Sequence, residues 1–187
     1  MSLCATPSQT VGPYYRLGLE PLYRNTLVPA TAGAAQVQVS GRILDGAGAP
    51  VTDAVLELWQ ADANGRYAQA TDPGAAAQSA PFDGWGRVPS DAQGEFSFST
   101  IKPGSVPGPD GKAQAAHLVV LVFMRGLLRA APTRMYFGDD PLLEHDPILA
   151  LVPAARRDTL LAKAQGPGRY RWDIHMQGDA ETVFFRY

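Results

Sequence analysis

The stretch Leu118-Val119-Val120-Leu121-Val122-Phe123-Met124 is apolar at every position. A continuous apolar run of this length is typical of a strand that is covered on both faces, such as a strand in the middle of a β-sandwich. The run is too short to cross a membrane, which requires about 20 apolar residues in a helix. It therefore predicts a strand at the centre of the fold.

Shorter strand patterns lie on either side of this run. Residues 37–43 alternate apolar and polar side chains, and residues 54–59 form a second strand pattern after a glycine-containing turn. The 19 Gly and 16 Pro residues are scattered without a repeat, as is typical of turns between short strands. Together these patterns predict an all-β protein, a β-sandwich with long loops. The further predicted strands are 95–99, 135–137, 170–174 and 182–185, and residues 72–85 are predicted as a surface loop.

Two segments do not fit the strand pattern. Residues 1–35 are interrupted by Pro and Gly and show little periodicity, so they predict an N-terminal arm, with a single sandwich domain over residues 36–187. Aromatic residues in the arm suggest that it packs on something, which could be another chain. Residues 153–164 predict one short helix, because Pro153 stands near its start and Gly166 lies beyond its end.

Composition limits the functions that the chain can have. With 187 residues, of which 45% are hydrophobic, the chain is long enough for one well-buried core. Its net charge is −2 and it has no run of Lys or Arg, which argues against nucleic-acid binding. The start of the sequence has neither the cationic region nor the apolar core of a signal peptide, so we expect a cytoplasmic protein that does not enter a membrane.

Three segments carry the pattern of a metal site: residues 59–67, 101–106 and 116–119. Together with residues 6–14 and 133–137, they resemble the intradiol ring-cleaving dioxygenases over nearly the whole chain. Within that family the motifs resemble those of the alpha subunits of the enzymes that act on protocatechuate. The resemblance implies a β-sandwich and a part in the O₂-dependent cleavage of catechols between their two hydroxyl-bearing carbons.

In this family two Tyr and two His hold a ferric ion, a hard cation that phenolate oxygens stabilise. The resemblance maps the first Tyr to Tyr67 and the first His to His117, both present. It maps the second Tyr to Val106, the second His to Val119, and a charge-stabilising Arg to Gln114. We call these five positions the vestigial site. The resemblance implies that this chain holds no metal and no catalytic residue, and that Fe(III) belongs to a partner beta subunit.

The resemblance also implies substrate contacts. Thr10, Gly12, Pro13 and Tyr14 match the family's Thr-x-Gly-Pro-Tyr arm, which lines the entrance to the pocket. Arg134 matches an Arg that reaches toward the substrate, and its guanidinium could bind the carboxylate of protocatechuate through charge-assisted hydrogen bonds. The expected partners are the beta subunit and protocatechuate in a shared pocket.

Three alternatives remain open at this point. The chain could be an independent intradiol dioxygenase of the catechol or hydroxyquinol type with a rearranged site. It could be a transthyretin-like β-sandwich that binds without catalysis, since its turn and strand patterns also occur in such modules. His145, Asp173 and His175, which lie outside the matching motifs, could form a separate metal site.

Overall fold

In the computed structural model of the protein, residues 4–28, 35–68 and 82–186 are described. Their regular elements are mainly short strands, with one α-helix and several 3₁₀ turns. The strands are β1 Gln36–Leu44, β2 Val55–Trp59, β3 Trp85–Pro89, β4 Glu95–Ile101, β5 Val106–Pro107, β6 Ala113–Gln114, β7 His117–Phe123, β8 Ala131–Phe137, β9 Leu161–Gly166, β10 Arg169–Arg171 and β11 Ile174–His175. The helices are α1 Gly12–Gly18 and the 3₁₀ segments Glu20–Leu22, Pro109–Gly111, Leu143–His145, Leu149–Leu151 and Ala154–Leu160.

The strands form a two-layered β-sandwich whose layers are continuous along one edge. One layer has the order β3-β2-β7-β8, and the other has the order β9-β10-β1-β4. The layers join where β8 pairs in parallel with β9, at Tyr136 opposite Leu161 and Phe137 opposite Ala162. The two-stranded sheet of β5 and β6 stands apart from this path. The prediction of an all-β sandwich is therefore confirmed.

One hydrophobic core lies between the layers. On β7, Leu118, Val120 and Val122 point into it and are fully buried. They meet side chains from the opposite layer, such as Val39 and Phe98. Because side chains alternate along a strand, the remaining residues of β7 face away from the core. That second face of the central strands is where the candidate site lies.

The predicted helix over residues 153–164 is wrong in its second half. Ala154–Leu160 is a 3₁₀ helix, and from Leu161 the chain continues as β9. Leu161 and Ala162 extend the sheet edge offered by β8. The Ala- and Leu-rich segment favours a helix locally, but backbone pairing and burial on the sheet outweigh that weak preference.

Part of the arm forms a helix that the sequence does not predict. Pro13 lies in the first turn of α1, where its fixed φ and missing N–H are tolerated. Gly12 precedes it with φ +67°, a conformation that few other residues adopt readily. Further along, Leu27 and Val28 are buried against the sandwich. The division of the chain into an arm and a domain at residue 35 stays a prediction.

Two smaller expectations also change. Residues 182–185 follow the sheet through isolated backbone hydrogen bonds, such as Phe185 N–H to Pro132 O at 2.8 Å, but form no strand. The predicted loop over residues 72–85 lies largely outside the described residues, and its last member, Trp85, begins β3. Within the described ranges, no helix has the length and apolar character needed to cross a bilayer.

A vestigial metal site on the outer face of the central strands

Two turns pack together at one end of the sandwich. Asp62 accepts a hydrogen bond on its side chain from the Asn64 amide at 2.8 Å, and its carbonyl accepts one from the Gly104 amide at 2.9 Å. Gly65 has φ +75°, and a β-carbon there would collide with the carbonyl oxygen of Ser105. Glycine is therefore required for the close approach. The packing brings the Tyr that follows the first turn to the same end of the fold as the Val that follows the second.

Strand pairing assembles the rest of the vestigial site. His117 and Val119 are two residues apart on β7 and share the outer face. Val119 lies opposite Arg134 on β8 and opposite Trp59 on β2. The Trp59 ring stacks with Tyr67, with 6.1 Å between the ring centroids. The structure thus brings four of the sequence-predicted residues, Tyr67, His117, Val119 and Arg134, to one region.

The two remaining positions of the vestigial site lie on the small sheet of β5 and β6. Val106 pairs with Gln114 across β5 and β6, and both are buried. Gln114 donates from Nε2 to the carbonyl of Pro107 at 3.0 Å. Its Oε1 accepts a hydrogen bond from Nη1 of Arg134 at 2.7 Å. The residue that the resemblance maps to the family's Arg is therefore bonded directly to Arg134.

Arg134 lies at the centre of the vestigial site. Besides its bond to Gln114, its Nη1 is 3.5 Å from Nε2 of His117 and 3.4 Å from the hydroxyl of Tyr136. Its guanidinium carbon stands 6.0 Å from the ring centroid of Phe185. A permanent positive charge thus faces the ring nitrogen Nε2 of His117.

His117 is held as a neutral imidazole. Its Nδ1 is 2.8 Å from the carbonyl oxygen of Ala115, which can only accept, so Nδ1 carries the proton. The lone pair on Nε2 then faces Arg134. Burial lowers the pKa of His117, the Ala115 carbonyl raises it, and the positive charge of Arg134 lowers it further, with a net decrease. The nitrogen that could bind a metal therefore has a cation as its neighbour.

A buried carboxylate, that of Asp146, lies next to the residues around Arg134. Asp146 is fully buried and accepts hydrogen bonds from the amides of Ala115, Ile148 and Leu149 at 2.7 to 2.9 Å. The hydroxyl of Tyr136 also donates to it, at 3.3 Å. Burial raises the pKa of Tyr136 well above its usual range, so its phenol stays protonated. Asp146 thus fixes the loop after β8 against β6, β7 and β8.

Sequence reasoning missed Tyr136, Asp146 and the bond between Gln114 and Arg134. Tyr136 could have been found, because it stands two residues after Arg134, and side chains two apart share a face when a predicted strand extends by one residue to include Arg134. Asp146 was obscured by its neighbour His145, which has the more familiar metal-binding chemistry but is exposed. The Gln114 bond carries no signal in the sequence, since β6 and β8 lie apart along the chain.

The arm residues lie elsewhere. Thr10 accepts a hydrogen bond on its hydroxyl from the Gly126 amide at 2.8 Å, beyond the far end of β7. Tyr14 is 81% exposed on α1, and the next residue, Tyr15, stacks on Phe123. Phe123 is four residues along β7 from the position opposite Arg134, a distance of about 13 Å. Within this chain, therefore, Thr10, Gly12, Pro13 and Tyr14 do not share a pocket with Arg134.

The residues of the vestigial site do not fit a ferric ion. Of the four ligand positions, Tyr67 and His117 carry donor atoms, whereas Val106 and Val119 carry none. Two ligands leave the hard cation short of anionic oxygen, and the guanidinium of Arg134 repels it. The separate metal site considered for His145, Asp173 and His175 is not formed: no group of three or more His, Cys, Asp or Glu suited to a metal occurs among residues 4–28, 35–68 and 82–186.

A β-sandwich that gathers Tyr and His positions at one end of its central strands has the architecture of a ring-cleaving dioxygenase. A family model described as "Dioxygenase" matches residues 12–178, and the chain belongs to this intradiol dioxygenase family, which uses iron. The chain is 42% identical to a protocatechuate 3,4-dioxygenase alpha chain from Burkholderia cepacia, over 98% of both chains. It is 40% identical to the beta chain from the same organism, over 81% of this chain and 68% of that one.

Solved structures agree with this assignment. The dioxygenase domain of a carbohydrate-binding fusion protein from Streptomyces sp. SirexAA-E is 27% identical, with a TM-score of 0.63 over 96% of this chain and 100% of that one. A hydroxyquinol 1,2-dioxygenase from Pseudomonas putida DLL-E4 has a TM-score of 0.61 at 23% identity, over 94% of this chain and 63% of that one, and supports the fold alone. Family membership favours a dioxygenase role over a transthyretin-like binding module.

Proposed function

We propose that this chain is the alpha subunit of a protocatechuate 3,4-dioxygenase. It binds no iron, and it completes the substrate pocket and the assembly of a beta subunit that holds Fe(III). The beta subunit cleaves protocatechuate with O₂ to 3-carboxy-cis,cis-muconate. The observation that carries the proposal is the vestigial site, in which Val106 and Val119 offer no donor and Arg134 faces His117.

Similarity to both kinds of chain supports a heteromeric assembly. Relatives named as alpha and beta chains of protocatechuate 3,4-dioxygenase both match this chain, and two alpha chains match it over nearly their full length. Two chains of one fold, of which one has lost its metal ligands, can pair so that the inactive one shapes the pocket of the other. The iron of the beta subunit would supply activation of the catechol toward O₂.

Arg134 is the residue that we assign to the substrate carboxylate. A guanidinium forms strong, directional hydrogen bonds to a carboxylate, and protocatechuate differs from catechol by that group. We assign Thr10, Gly12, Pro13 and Tyr14 to the pocket entrance. Because the arm and Arg134 lie about 13 Å apart or more, they act on one substrate molecule only when the beta subunit or a second copy of this chain brings them together.

Reconstitution tests the proposal. We expect ring cleavage from this chain expressed together with a beta chain of the Burkholderia cepacia type, and none from this chain alone. In the assembled enzyme, Arg134→Ala should raise KM for protocatechuate by about 10- to 150-fold, equivalent to about 1.5 to 3 kcal/mol for hydrogen bonds to a charged group, and change KM for catechol much less. Arg125→Ala, which removes an exposed Arg, serves as the control.

Two outcomes would contradict the proposal. Cleavage by this chain alone, with iron bound to it, would make it an independent intradiol dioxygenase. Equal effects of Arg134→Ala on protocatechuate and catechol would show that Arg134 does not bind the carboxylate.

A further inference from the structure

Gln114 is held in one orientation. Its Nε2 donates to the carbonyl oxygen of Pro107 at 3.0 Å, and a carbonyl can only accept. The amide therefore has to present Oε1 toward Arg134, as the 2.7 Å distance to Nη1 shows. Gln114 is also buried, at 7% exposure, so its side chain has little room to move. The structure thus provides a fixed acceptor for one edge of a guanidinium.

The kind of residue at position 114 matters for charge. The family pattern has an Arg there, and a second guanidinium within hydrogen-bond distance of Arg134 would repel it. A glutamine removes that repulsion and adds an acceptor without adding a charge. A glutamate would also accept, but it would neutralise the positive charge that a substrate carboxylate requires. Glutamine at position 114 thus orients Arg134 through an uncharged acceptor.

We propose that Gln114 is a positioning residue that holds Arg134 in the orientation for binding an aromatic carboxylate. The idea rests on the proposed function, in which Arg134 meets the substrate. Two further acceptors surround the same Nη1 atom of Arg134: Nε2 of His117 at 3.5 Å and the hydroxyl oxygen of Tyr136 at 3.4 Å. A side chain already held in place loses less conformational freedom when the ligand binds, which favours affinity. The lost metal site thereby becomes a support for a substrate-binding cation.

The test measures KM and kcat for protocatechuate and for catechol in the enzyme assembled with the beta chain. Gln114→Leu should raise the ratio of KM for protocatechuate to KM for catechol by about 10-fold, since one hydrogen bond to a charged group is lost. Gln114→Glu, nearly the same shape, should raise that ratio as well because it neutralises Arg134. Gln93→Leu, an exposed turn glutamine, should leave the ratio unchanged.

A double-mutant cycle separates positioning from a general structural effect. If Gln114 acts through Arg134, Gln114→Leu should have no further effect on the ratio in an Arg134→Ala background. Full additivity of the two changes would overturn the proposal, as would equal effects of both Gln114 variants on the two substrates. If Arg134→Ala changes the ratio and neither Gln114 variant does, the positioning role fails while the proposed function stands. If Arg134→Ala itself leaves the ratio unchanged, both fail.

Discussion

Replacing Asp146 with Asn should destabilise the protein strongly, although the two side chains have nearly the same shape. The carboxylate is fully buried and accepts three backbone hydrogen bonds and one from Tyr136. An Asn can keep the three bonds that reach Oδ1, from the amides of Ile148 and Leu149 and from the hydroxyl of Tyr136. Its NH₂ group then stands where Oδ2 accepts from the Ala115 amide, so a donor meets a donor.

The cost follows from these bonds. Leaving the buried Ala115 amide unsatisfied costs about 1 to 3 kcal/mol, and loss of the charge on Oδ1 removes about 1 kcal/mol from each of the two backbone bonds that remain. Relief of the cost of burying a charge offsets part of this loss. We expect a net decrease of about 3 kcal/mol in the free energy of unfolding, a large part of the total for a domain of this size.

Urea unfolding of this chain, followed by tryptophan fluorescence, measures the change. The matched control is Asp91→Asn: Asp91 also accepts two backbone bonds on Oδ1, at 2.8 Å each, but it is exposed, and an Asn retains both bonds. The control should cost less than about 1 kcal/mol. A decrease below about 1 kcal/mol for Asp146→Asn would refute the claim that this carboxylate anchors the vestigial site.

Two further predictions follow from the same structure. Val106→Tyr with Val119→His restores two ligands, so the iron retained per chain should rise. It should rise further when Arg134→Ala removes the cation facing His117, and no gain in iron would refute the mapping of the site. Burial and the hydrogen bond to Asp139 raise the pKa of Tyr170 to about 12. Because the folded pKa lies above the unfolded value of 10.0, the stabilisation from Tyr170 is complete below pH 10 and is lost as the pH rises toward 12. The free energy of unfolding should therefore fall over that range, and Tyr170→Phe should make the fall less steep. The same slope in Tyr170→Phe and in the unsubstituted protein would contradict this prediction.

Much of the fold follows from local patterns. Apolar and polar side chains alternate in β1 because one face of that strand is buried in the core, and β7 is apolar throughout because both of its faces are at least partly covered. Both patterns predict strands correctly. The segment that becomes β9 could not be predicted in this way. Its sequence favours a helix, and its strand conformation depends on β8, which is distant in sequence and offers an edge for pairing.

Part of the geometry of the candidate site was predictable for a different reason. Period-two spacing puts His117 and Val119 on one face of a strand, and the resemblance to the family maps its second His to Val119. The role of Arg134 inside the vestigial site was not visible, because its acceptors come from β6, β7 and its own strand. The distance between the arm and Arg134 likewise depends on which end of β7 each segment reaches.

The most direct test of the central claim is the iron content and visible absorbance of this chain purified alone, since tyrosinate bound to Fe(III) is coloured. A colourless protein with far less than one iron per chain is the predicted result, because Val106 and Val119 supply no donor and Arg134 faces His117. A coloured protein with about one iron per chain would contradict the account, and the metal would then have ligands outside the vestigial site.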